Sequence, residues 1–538
     1  MATEILTASS SPLFKHDEVL DHKAEVELTP SVAKQDASIG VSEPRFNLTP
    51  LTEVVKIPGY QEPVTAQFDL NYDSQLEIWK SLSTFLPNDN EDHQFWWKVT
   101  GRHVARMLHE AKYPVKRQVE LLMFQRYHVV PRLGPRPTSS KPWFKSRIAP
   151  GIADGGPINY SWRWNVGNKK PYIRHYMEPI GELTGTPADP LNEVATRSML
   201  HEMSQVFPSC DPTTFYTFAN HLRPNLANQE VRRNFTGSNM LIGLEMHPDS
   251  SVVDIMAALV TKDPSQVSRL FTEIFPAAMR DAYGPTASQS CLEMTRDFLQ
   301  NDPDGQKLIA TGVVAVDCCD AKTSRFKAYL VTRDLSFRHI ARVMTLGGLK
   351  AISPGSLASL RELWYAINDL PTSHPDDAPP PPLSASLAAA DPHGANTGLK
   401  GTPRGLTFYF DIHPKYKLPH IKMQLDVTKH SPSDHLAANA VCGYLQRRGR
   451  GDTAQAYLNM LRGMVSATEL QQFRDPSQTG QAVQAYFALA FKDGEIDITS
   501  YVLPQVYGRY FHHWAEIGGQ SKPSKGSPNG QRRSRFSD

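Results

Sequence analysis

The chain has 538 residues, 40% of them apolar and 21% charged, the balance of a globular protein with a sizeable core. Its 57 Lys and Arg against 55 Asp and Glu leave a net charge of +2, which excludes a bulk electrostatic pull toward nucleic acid or an anionic membrane surface. The length exceeds that of an ordinary domain, although barrels with added helices reach it as one unit.

In chain order, residues 1–60 are polar and punctuated by Pro without a sustained period, which predicts a largely disordered segment. They lack the basic-then-apolar pattern of a signal peptide, and no apolar run is long enough to span a bilayer. Apolar periodicity predicts helices over 95–111 and 115–128. A pattern then recurs: two short alternating runs followed by one or two helical runs. The strand pairs fall at 158–164 and 172–178, 239–246 and 252–259, 312–318 and 324–331, 406–412 and 420–427, and 484–491 and 495–502. Helical stretches between them include 191–206, 266–282, 357–368 and 433–446. Residues 371–403, with Pro379-Pro380-Pro381-Pro382 and an Ala-rich run, read as a flexible insertion inside the domain. Residues 518–538 read as a loose basic tail. The resulting expectation is a single domain over 61–517.

The cysteines are Cys210, Cys291, Cys318, Cys319 and Cys442. An odd number without pairing spacings points to a reduced, cytoplasmic protein. Adjacent Cys318-Cys319 has no zinc-site spacing and reads as apolar filler.

Alternation within the strands carries the functional information. In Ser324-Arg325-Phe326-Lys327-Ala328-Tyr329-Leu330, successive side chains take opposite faces. Arg325, Lys327 and Tyr329 share one face, while Phe326, Ala328 and Leu330 share the other. His420, Lys422, Gln424 and Asp426 oppose Ile421, Met423, Leu425 and Val427. Thr407, Tyr409 and Asp411 oppose Phe408, Phe410 and Ile412; Tyr172, Arg174, Tyr176 and Glu178 form another polar face. Helices must cover the apolar side, because their own stripes need a partner. Closing the sheet turns its polar side into a solvated lumen and removes the edges. The expected fold class is therefore α+β: a ten-stranded antiparallel barrel with a solvent-filled lumen inside a ring of helices.

Several motifs then carry a resemblance. They are Phe95-Trp96-Trp97, Val130-Pro131-Arg132-Leu133-Gly134-Pro135, Tyr160-Ser161-Trp162-Arg163-Trp164 and Glu178-Pro179-Ile180-Gly181. The most specific block runs from Asp317-Cys318 through Ser324–Tyr329 to Thr345-Leu346-Gly347-Gly348. Over roughly residues 74–513 the chain resembles fungal aromatic prenyltransferases of the dimethylallyltryptophan synthase type. The resemblance implies the ten-stranded prenyltransferase barrel. It also implies transfer of a prenyl group from dimethylallyl or a longer allylic diphosphate to an aromatic small molecule of fungal secondary metabolism, such as an alkaloid or meroterpenoid precursor. By resemblance, Arg174, Arg325, Lys327 and Lys422 bind the diphosphate. Arg forks match phosphate oxygens and Lys acts as a point charge. Tyr329 matches the family's cation shield, with Tyr486 and Tyr501 as cavity neighbours; aromatic faces attract a cation. The bland alternatives are an Arg174–Glu178 pair on one strand and a solvated face at Arg325 and Lys327. No DDxxD helix is present, so the expectation is no required cofactor and no essential Mg2+. The expected partners are the prenyl diphosphate and the aromatic acceptor, with no nucleic acid, no membrane and a possible homodimer.

The sequence also departs from the family pattern. Asn159 stands where the family has a Glu that accepts the indole N–H, which weakens the case for an indole and makes phenolic rings competitive. Asp254 and Met256 occupy a Lys-x-Tyr position, and Gln424 replaces an expected Tyr. Asn159 and Asp254 are the candidate catalytic residues, with Asp497 a second candidate base. Met256 and Gln424 leave a wider chamber. The alternative reading is a degenerate barrel that performs cyclase-type chemistry or only binds an aromatic metabolite.

Overall fold

The computed structural model describes residues 75–87, 90–136, 156–225, 238–261, 263–382, 405–432, 434–464 and 483–503. The segments expected at 1–60 and 518–538, and residues 383–403 of the insertion, lie outside the described residues. Ten strands form the centre: β1 Ile158–Arg163, β2 Tyr172–Met177, β3 Met240–Met246, β4 Val253–Val260, β5 Ile309–Asp317, β6 Phe326–Thr332, β7 Leu406–Ile412, β8 His420–Asp426, β9 Gln484–Lys492 and β10 Glu495–Val502. They close into a barrel in the order β1-β10-β9-β8-β7-β6-β5-β4-β3-β2. Neighbours in sequence are antiparallel neighbours in space, and the β1–β10 pairing, Tyr160 opposite Val502, seals the ring. The β9–β10 connection shows why local sequence suffices here. Asp493 and Gly494 both take positive φ, 50° and 80°, as a two-residue hairpin turn matched to strand twist requires.

Alternation then sorts the side chains. Ile158, Tyr160 and Trp162 of β1, Phe326, Ala328 and Leu330 of β6, and Phe408 and Phe410 of β7 are buried in the apolar core between barrel and helices. The helix Thr213–His221 places Phe218 with its ring 4.7 Å from Phe326. Phe275, opening the helix Phe275–Tyr283, meets the same ring at 5.1 Å. The helix Gly451–Met464 brings Tyr457 to within 4.6 Å of Trp164. The opening motifs come together at one place. The Trp96 indole donates to the Gly134 carbonyl at 2.7 Å, and Leu133 bridges Ile180.

Element ends differ from the sequence reading where backbone geometry intervenes. β5 begins at Ile309, before the expected 312, because Gly312 at φ 78° lies inside a register shift between Ala310 and Val314. A Cβ there would meet the Thr261 carbonyl oxygen at 2.4 Å. The helix expected from 191 starts at Val194, where the Asp189 carboxylate accepts from the Glu193 and Val194 amides. The helix expected over 95–111 is interrupted by a π turn at Trp97–Gly101. Residues 371–382 are tied down: Asp376 accepts from Arg361 at 2.7 Å and from the Tyr365 hydroxyl at 2.7 Å.

His175 faces outward from β2 and is fully buried, and neither ring nitrogen finds a hydrogen-bond partner among the described residues. Burial pulls its pKa from 6.5 to about 3. The unfolded chain therefore takes up this proton first. The stability present above pH 6.5 is lost as pH falls toward the folded value, by at most about 1.4 kcal/mol per pH unit. Urea titrations between pH 7 and pH 4 should show this slope, and His175→Leu should flatten it.

Candidate active site in the barrel lumen

The inward faces of the strands hold two linked charge clusters. On β5 and β6, Asp317 accepts from Arg325 Nε at 2.8 Å and from Lys327 Nζ at 2.5 Å. Asp411 of β7 stands behind them, 3.7 Å from Arg325 and 4.0 Å from Lys327. Burial raises the Asp317 carboxyl, but Arg325 and Lys327 outweigh it and hold the group well below the usual carboxylate range. Asp317 in turn raises the Arg325 guanidinium, so Arg325 stays charged.

The second cluster spans β8, β10, β1, β3 and β2. Lys422 donates to Asp497 at 3.3 Å. Asp497 also takes Arg163 through Nε–Oδ1 at 3.3 Å and Nη2–Oδ2 at 3.0 Å. Arg163 lies 3.8 Å from Glu245, which pairs closely with Arg174. Arg174 thus finds its carboxylate on the neighbouring strand, not at Glu178. Burial lowers the Lys422 ammonium to about 8 even with Asp497 beside it.

Between the charges stands an aromatic wall. Tyr329 and Tyr409 lie 5.3 Å apart between ring centroids, directly opposite in the β6–β7 register. Tyr486 stacks on Tyr501 at 4.0 Å and 22°, and Tyr176 meets Tyr501 at 5.6 Å. Burial raises the phenols of Tyr329, Tyr409, Tyr486 and Tyr501, so all four remain neutral π-donors. Such faces stabilise a nearby cation, and more strongly where water is excluded.

The other expected positions fall around this wall. Asn159 is opposite Tyr176. Its Oδ1, Ser161 Oγ and Thr499 Oγ1 are buried polar atoms with no hydrogen-bond partner among the described residues. Met256 lies between Gly243 and Asp317 in the register and covers Gly243, where a Cβ would come within 2.6 Å of its Cγ. Gln424 sits between Thr407 and Ala488. Asp254 is hydrogen-bonded to His247 at 2.8 Å and stands opposite Glu245 in the β3–β4 register. Sequence reasoning did not single out Arg163, Tyr176, Glu245, Asp317 or Tyr409 as site residues. The two-residue alternation places Arg163, Tyr176 and Tyr409 on inward faces, which was the available signal.

Glu245, His247 and Asp254 form one group, and Asp304, Asp334 and His339 another, whose ligand-type atoms lie within 4.8 Å. In both, fixed cations already sit on the carboxylates: Arg174 and Arg163 on Glu245, and Lys307 between Asp304 and Asp334. Among the described residues no helix is long and apolar enough to cross a membrane.

A closed antiparallel barrel with a polar, tyrosine-walled lumen inside helices defines a prenyltransferase barrel. Residues 92–460 match the family model described as tryptophan dimethylallyltransferase. The chain is 51% identical over 476 residues to prenyltransferase vrtC of Penicillium aethiopicum, covering 86% of this chain and 95% of that protein. It is 46% identical to prenyltransferase nscD of Arthroderma otae, covering 84% and 99%. The crystal structure of AnaPT from Neosartorya fischeri matches with a TM-score of 0.62 at 21% identity, over 79% of this chain and 97% of that one. NotF in complex with brevianamide F and DMSPP matches at 0.60 and 20%, over 79% and 97%. The chain belongs to the tryptophan dimethylallyltransferase family and is a prenyltransferase.

Proposed function

We propose that this enzyme transfers a prenyl group from an allylic diphosphate to a hydroxylated aromatic small molecule. The observation that carries this reading is the juxtaposition of Arg174, Arg325, Lys327 and Lys422 with the tyrosine wall inside one closed lumen. In the reaction the allylic carbon–oxygen bond breaks heterolytically, and its electron pair leaves with the diphosphate. Arg and Lys stabilise that developing charge, while Tyr329, Tyr409, Tyr486 and Tyr501 face the allyl cation. The acceptor ring then gives a π pair to the cation and loses a proton. Each cation is carboxylate-paired in the free enzyme, so the diphosphate competes with Asp317, Glu245 and Asp497 for donors already aimed inward. This arrangement needs no metal in the charge stabilisation.

Side chains of β1 and β10 support this acceptor class. Asn159, Ser161 and Thr499 present buried polar atoms without hydrogen-bond partners among the described residues, and buried polar groups are rarely left so. Ring hydroxyls, which both donate and accept, satisfy such a row. An indole N–H is a single donor and meets a neutral amide here, where a carboxylate would hold it more strongly. A mass-spectrometric screen of dimethylallyl and geranyl diphosphate against phenolic and indole acceptors tests this. The expected result is prenylation of polyhydroxylated aromatics in preference to indoles, with Asn159→Glu shifting relative kcat/KM toward indoles by about ten-fold, the value of one charge-assisted hydrogen bond. Preferential prenylation of indoles by the unaltered enzyme sinks the reading.

A further inference from the structure

We infer that Arg163 is a diphosphate-binding residue. This rests on the diphosphate site proposed above and adds a residue to it. Arg163 ends β1, and its inward direction follows from the alternation Asn159, Ser161, Arg163 against the buried Ile158, Tyr160 and Trp162. Its side chain is 18% exposed, comparable to the 15% of Arg174 and 12% of Lys422. It joins those two cations through shared carboxylates, in the chain Lys422–Asp497–Arg163–Glu245–Arg174.

Three features favour an anion at this point. The first is charge balance. Arg163, Arg174 and Lys422 face only Glu245 and Asp497, whereas Arg325 and Lys327 are matched by Asp317 and Asp411. The excess positive charge therefore belongs to the three-cation chain that Arg163 joins. The second is donor geometry. Nε and Nη2 are engaged by Asp497, while Nη1 approaches Glu245 only at 3.8 Å, beyond hydrogen-bond reach. Among the described residues, one edge of the fork is therefore left to a ligand oxygen. The third is like-charge proximity. Arg174 opposes protonation of Arg163, and Arg163 opposes that of Lys422; an incoming polyanion relieves this repulsion.

The test is calorimetric titration of the full-length enzyme with inorganic pyrophosphate and with a prenyl thiolodiphosphate, together with steady-state kinetics. Arg163→Gln should weaken both ligands about 10- to 100-fold, the loss expected for charge-assisted hydrogen bonds, and leave the acceptor KM within about two-fold. Arg163→Lys keeps the charge without the fork and should recover part of the affinity. Should Arg163→Gln not fold, several-fold weaker binding by Arg163→Lys carries the test. A residue that only neutralises Asp497 predicts a different result: Arg163→Gln/Asp497→Asn would regain affinity. The inference requires the double variant to stay weak. Arg325→Ala is the control for the site itself. Wild-type affinity in the Arg163 variants, with loss in Arg325→Ala, overturns the role of Arg163 alone. Retained affinity in both overturns the diphosphate site and Arg163 with it.

Discussion

Replacing Arg325 with alanine should lower kcat/KM by roughly 10²- to 10³-fold while the protein stays folded, because the residue supplies preorganised charge where the leaving diphosphate develops its own. The geometry makes the expectation specific. Arg325 is fixed by Asp317 at 2.8 Å on one side and approached by Asp411 at 3.7 Å on the other, so its fork is oriented before substrate arrives. Its loss leaves Lys327 to balance both Asp317 at 2.5 Å and Asp411 at 4.0 Å, so one buried carboxylate loses its matching cation. Far-ultraviolet circular dichroism should stay close to wild type, while the melting temperature falls, because Asp317 and Asp411 then share Lys327 alone. Single-turnover measurements should place the defect in the ionisation step, and added acceptor should not rescue it. Undiminished turnover in Arg325→Ala removes Arg325 from the mechanism.

Asp317→Asn should do the reverse, with a large cost in stability. Removing one member of a buried charge network leaves the remaining charges uncompensated, typically at about 3–5 kcal/mol. Arg325 and Lys327 would keep only Asp411 at 3.7 and 4.0 Å. The pH dependence has a definite sign. The folded carboxyl lies well below its ordinary 3.8, so its stabilisation is present above that value and disappears as pH falls through the folded pKa. The difference between wild type and variant should therefore be full at pH 7 and shrink below about pH 4. Pyrophosphate should narrow the gap at pH 7, because it offers the two cations a replacement anion. Chemical denaturation with and without pyrophosphate measures both effects. Equal stability of the two proteins at pH 7 shows that Asp317 does not hold this pair together.

The strand inventory was readable because antiparallel hairpins are local. Residues of β9 and β10 are joined by Asp493-Gly494, and the turn alone sets their register. Helix ends were less readable, since Asp189 caps the helix Val194–Val206 from outside its periodic run. Arg325, Lys327 and Tyr329 could be placed on one face from period two alone. Arg163 satisfied the same rule, but it stood in a motif dominated by Tyr160, Trp162 and Trp164, whose rings belong to the core.

By itself the sequence determined which side chains face inward and which face the helices, because that depends only on strand pleat and burial. It also determined that cations and tyrosines share the inward face. Only tertiary structure decided who pairs with whom. Arg163 reaches Asp497, more than three hundred residues away, because β1 and β10 meet when the barrel closes. Arg174 takes Glu245 over Glu178 for the same kind of reason, since Arg174 and Glu245 are directly opposed in the β2–β3 register. Coulomb pairing depends on separation in space, and closure of the ring brings distant strands to adjacent positions.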